Sequence, residues 1–107
     1  MRNIVIAAIL LLSAGSPAQA ETHGGMSKGS EEIHQVMMKH AKEATKTKLS
    51  GDVDKDFATM MADHHRSGIE MAKAQLEHGK DRELKELARK MIESQKDEIR
   101  VLENHKG

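Results

Sequence analysis

From Glu31 onward, apolar and polar positions follow the three- and four-residue spacing of an amphipathic helix in three successive stretches. The first helix is predicted from Glu31 to Lys48, capped by Ser30, with Ile33, Val36, Met37, His40 and Ala44 on one face. It is the weakest, because Thr45, Thr47 and the Lys-rich end favour fraying. Residues 49–54, Leu-Ser-Gly-Asp-Val-Asp, form a turn in which Asp52 or Asp54 caps the next helix. That second helix runs from Lys55 to His78 and stops at Gly79, expected to be a left-handed C-terminal cap. Arg82 to Asn104 makes the third, with Leu84, Leu87, Ala88, Met91, Ile92, Ile99 and Leu102 in a stripe. No strand pattern occurs, and no Pro follows Pro17. Short turns between long helices force antiparallel neighbours, so the fold class is all-α, a small three-helix up-down bundle that the first helix folds back to close.

Two segments precede it. Arg2, the apolar run Ile4 to Leu12 and Ala18-Gln19-Ala20 have the order of a secretory signal peptide over residues 1–20, with a run too short to span a bilayer. Residues 21–30 are polar and Gly-rich and are expected to be a flexible tail, leaving 31–107 as the helical domain. Cleavage after Ala20 places the mature chain in the periplasm, without stable membrane insertion. A bundle this small buries little, which favours pairing into a homodimer.

Composition narrows the chemistry. Seventeen basic and 17 acidic residues in 107 leave no net charge, hence no basic field for nucleic acid. Cys, Trp and Tyr are absent and Phe57 is the single aromatic of the Phe, Tyr and Trp class, whereas there are 8 Met and 7 His. Without thiolates, the available ligands are imidazole, thioether and carboxylate. Removing residues 1–20 would cost only Met1 from this set.

The second helix concentrates those ligands. Advancing about 100° per residue from Phe57, its apolar arc holds Met61, Gly68, Ile69, Met71, Ala72 and Leu76, and both His64 and His65 are expected in that arc, away from water. Met60 precedes His64 by four residues and Met61 precedes His65 by four, so thioether and imidazole lie one turn apart. Gly68 removes a side chain where an ion or a neighbouring helix could approach. A lone His on an apolar face, or a Met stripe, is ordinarily packing. An adjacent His pair with a Met pair before it, Met71 after it and no evident acidic partner favours ligation instead. Thioether sulfur is soft and neutral, suited to Cu(I) and Ag(I) and poor for Zn(II), Mg(II) or Ca(II). Met37 and His40 of the first helix could complete the site. Gln95 reads as a buried amide bonded to a neighbouring helix or a His ring.

Residues 51–57, Gly-Asp-Val-Asp-Lys-Asp-Phe, followed by Met60-Met61, His64-His65, Gly68-Ile69, Met71-Ala72, Gln95 and Glu98-Ile99, resemble the bacterial family called domain of unknown function 305. The resemblance covers the second and third helices, roughly half of the chain. It implies an exported, ferritin-like helical bundle, of which this chain would form half, and a periplasmic copper-binding role like that of its CopM-type members, which support copper tolerance. Met60, Met61, His64, His65 and Met71 are the positions that match its motif. The aromatic that often follows the last helix in relatives is missing, and the first helix has fewer Met than Met-rich members.

A mature N-terminus at Glu21 would place His23 third, allowing the amine, two backbone amides and the imidazole to hold Cu(II) in a plane. Other classes fare less well. A di-iron enzyme needs paired Glu-x-x-His motifs, and Glu31-x-x-His34 is the single instance. No nucleophile-base-orienter set is visible, so the expectation is no enzyme. A metal-free periplasmic chaperone or interaction bundle is the main competitor, because Met-rich surfaces suit promiscuous apolar binding, and Zn(II) buffering comes third. The expected role is to sequester or buffer copper, with silver admitted by the same ligands. A second copy and a copper-handling protein are the partners it admits.

Overall fold

The computed structural model describes residues 25–106, which form three helices and no strand. Helix α1 spans Lys28–Lys46, α2 spans Val53–His78 and α3 spans Arg82–Glu103. The segments expected to form a signal peptide and a Glu21/His23 chelate lie outside the described residues.

Each start is set by a short polar side chain that accepts an otherwise unpaired backbone N–H. Ser27 Oγ accepts from Ser30 N at 3.2 Å, an Asp52 oxygen from Lys55 N at 3.0 Å and an Asp81 oxygen from Leu84 N at 2.8 Å. Ser27 displaces the expected cap Ser30, so Lys28–Ser30 belong to α1 rather than to the tail. Gly29, in that first turn, is buried against His78, and a Cβ there would run into the imidazole. The helix stops at Lys46, short of Lys48: Thr45 Oγ1 turns back to Lys42 O at 2.7 Å and Thr47 is extended. Gly79 corrects another expectation. Its φ of −72° and ψ of 154° are extended, not left-handed, and its lack of a side chain instead relieves crowding, since a Cβ would lie 2.5 Å from Gln75 O. Among the described residues the one positive φ is at Gly51, 88°, in the turn before α2.

Helix α2 is the centre. Both neighbours run antiparallel to it: His78 meets Glu32 of α1, while His65 and Arg66 meet Glu98 and Glu103 of α3. No Cα of α1 comes within 8 Å of one in α3, so the small bundle is open rather than closed by its first helix. What α2 buries is small: Ala58, Ala62, Ser67, Gly68, Ala72 and Ala74, with Ile69, facing Ala88 of α3 among others. Small side chains let the flanking backbones approach, but among the described residues no large side chain is fully buried. The α3 stripe is accordingly half-covered, with Leu84 and Leu87 about half exposed at 52% and 50%. Among the described residues no helix is long and apolar enough to cross a membrane.

Candidate functional site

Between α1 and α2 lies a cleft of about 390 Å³. One wall is the α1 face that carries Met37, His40, Ala41 and Ala44, where the alanines leave room opposite larger groups. The other is the α2 face with Met60, Met61, His64, Ser67 and Met71. Thus six residues predicted as ligands, Met37, His40, Met60, Met61, His64 and Met71, border one space, though Met37 and His40 come from a separate helix. The helical repeat explains the grouping, because positions three or four apart return to one side.

The seventh, His65, faces the other flank of α2. With Phe57, Met61, Glu98, Val101 and Leu102 it lines a pocket of about 360 Å³ beside α3. Its Nε2 is hydrogen-bonded to the Glu98 carboxylate, and its side chain is only 12% exposed. His64, by contrast, is exposed, and the two rings sit edge to face with centroids 6.3 Å apart. Both residues had been expected off the wet side and without an acidic partner. His64 departs from the first expectation and His65 from the second, because adjacent helical positions diverge by about 100°. Only Met61 borders both spaces.

Two imidazole nitrogens in these spaces are buried with no hydrogen-bond partner, His40 Nε2 and His65 Nδ1. His40 Nε2 lies 3.3 Å from Glu70 Oε1 but outside hydrogen-bonding geometry. A buried nitrogen without a partner is costly, and a cation bound to it would remove that cost. Of the carboxylates at the cleft, Asp63 is engaged by Arg66 Nη1 at 2.8 Å and Glu70 sits beside His40. That guanidinium is held above its ordinary pKa mainly by its hydrogen bond to Glu103 and further by Asp63. Thioether and imidazole outnumber carboxylate among the donors that line the cleft, a set that suits a soft monovalent ion better than a hard divalent one.

Gly68 provides for close helix approach: Gln95 of α3 lies over it, and a Cβ would fall 2.5 Å from Gln95 Oε1. Gln95 itself is a correction, since its buried Oε1 is bonded to neither a helix nor a His ring. Sequence reasoning also missed a cluster at the far end of α1 and α2, where His78 Nε2 meets Glu32 Oε2 at 2.7 Å and lies 3.8 Å from Glu77 Oε2. Glu32 is 46 positions from His78, so no local spacing could reveal it. Glu98 was discoverable, because Gln95, Glu98 and Leu102 share one side of α3 at helical spacing.

A family model for the domain of unknown function (DUF305) matches residues 6–106, well beyond the half of the chain that carries the motif. No curated protein and no solved structure matches the chain. The chain belongs to the DUF305 family.

Proposed function

We propose that this DUF305 protein sequesters or buffers copper in the periplasm, contributing to copper tolerance, by holding Cu(I) in the cleft between α1 and α2 without turning over a substrate. The observation that carries the reading is the buried His40 Nε2, which makes no hydrogen bond although Glu70 is near, in a space bordered by Met37, Met60, Met61, Met71 and His64. Thioethers supply soft neutral donors and imidazole a stronger one, a combination suited to Cu(I) and Ag(I). Export rests on the Arg2, Ile4 to Leu12 and Ala18-Gln19-Ala20 pattern. A mature N-terminus at Glu21 would add a planar Cu(II) chelate through His23. X-ray absorption of the Cu(I)-loaded protein is expected to show sulfur together with nitrogen scatterers. A nitrogen- and oxygen-only shell would overturn the assignment.

A second reading is a metal-free chaperone or interaction module. It is favoured by the exposure of Met37, Met38, Phe57, Leu84, Leu87 and Val101. Suppression of client aggregation that survives removal of His40 and His64, in a protein that takes up no Cu(I), would select it.

A further inference from the structure

We infer that α2 carries a second, separate soft-ion site on its α3 flank, in which His65 Nδ1 and the Met61 thioether are the ligands and Glu98 positions the imidazole. The inference rests on the soft-ion reading above and divides one ligand-rich segment into two sites.

Glu98 accepts a hydrogen bond from His65 Nε2–H, which leaves Nδ1 as the ring's only free donor to a cation. That nitrogen is buried and unpartnered, while the ring is almost wholly covered. A carboxylate on one imidazole nitrogen, with the other directed to a metal, fixes the tautomer and strengthens the ligand. Met61 lies one turn before His65 on the same pocket, the separation at which helical side chains meet. Soft monovalent ions accept two such donors, so the pair is sufficient for Ag(I) or Cu(I). Phe57, Val101 and Leu102 enclose the pocket with apolar surface, and its one carboxylate is already committed to the imidazole. Hard divalent ions therefore find no suitable oxygen set there. The cleft on the other flank keeps Met37, Met60, Met71, His40 and His64 when Met61 turns toward His65.

Silver(I), which is diamagnetic and does not change oxidation state, is the probe, added to the full chain lacking only its signal segment. Nitrogen-15 shifts of the ion-free protein should show His65 as the Nε2–H tautomer. On titration, the His65 ring and Met61 methyl signals should move together with one equivalent, and His40 and His64 with another. Glu98→Ala should weaken the His65 equivalent by about 10- to 100-fold. Glu98→Gln should restore most of it, because the amide oxygen still accepts from Nε2–H. An Nδ1–H tautomer, unmoved His65 and Met61 signals after two equivalents, or unchanged affinity in Glu98→Ala would each overturn the site. Failure of the α1–α2 cleft is read separately, as motionless His40 and His64 signals while His65 still responds.

Discussion

His64 and His65 are covalent neighbours with different surroundings, and the difference governs how single substitutions should act. His64→Ala removes an exposed ring from the α1 flank and is expected to leave stability nearly unchanged. His65→Ala removes a covered ring together with its bond to Glu98, so it should lower the melting temperature; thermal denaturation of the two variants, without metal, checks the contrast. The Met-Met and His-His spacing was legible in the sequence, but the face each His occupies was not, since it depends on where α1 and α3 sit around α2. Gly51 is the residue whose backbone demands glycine: Gly51→Ala should cost about 1 kcal/mol, with no steric contribution because the position opens on free space. Just before it, the Ser50 backbone N–H, followed by the Ser50 hydroxyl, holds the Asp56 carboxyl below its ordinary value of 3.8. A lowered folded-state pKa means that ionised Asp56 favours folding above the unfolded value, and that this contribution disappears as pH falls through the folded one. Asp56→Ala should therefore melt earlier than wild type at neutral pH, and the gap should close in acid below about pH 4. A gap that widens in acid would contradict the assignment.

The helices were readable as elements because caps and periodicity agree. Asp52 was one of two caps anticipated for α2 and Asp81 opens α3, while His78 ends α2 as expected. The start of α1 was misplaced because Ser27 and Ser30 both can cap, and the choice falls to a tertiary contact, the seating of Gly29 on His78. Replacing Asp52 or Asp81 with Ala should cost about 1 kcal/mol each, measured by denaturant unfolding. Helix α1 packs on α2 alone, whereas α2 is held on two sides. Amide hydrogen exchange should consequently be faster in α1 than in the middle of α2. Copper(I) contacting both cleft walls should slow exchange in α1 more than in α3.

At the scale of the whole molecule, alanine and glycine on α2 let three helices lie close without enclosing a core of large side chains. The stripe of α3 was legible, but its incomplete covering was not, because periodicity reports which face is apolar and not how much of it a neighbour reaches. The open arrangement leaves a space lined by thioether and imidazole residues on each of two flanks of one helix. It also leaves Leu84 and Leu87 half exposed. A homodimer that uses this face should raise the melting temperature with protein concentration, whereas a concentration-independent midpoint would count against it. The copper assignment itself is tested most directly by anaerobic Cu(I) titration against a chromophoric competitor, comparing wild type with His40→Ala and with the double variant Met60→Leu, Met71→Leu, whose sites border the α1–α2 cleft and not the His65 pocket. Leu conserves the volume of Met, so helical content by circular dichroism should persist while Cu(I) affinity falls by tenfold or more, about 1.4 kcal/mol. Equal affinity in all three proteins, with their helices intact, would contradict Cu(I) binding in the α1–α2 cleft.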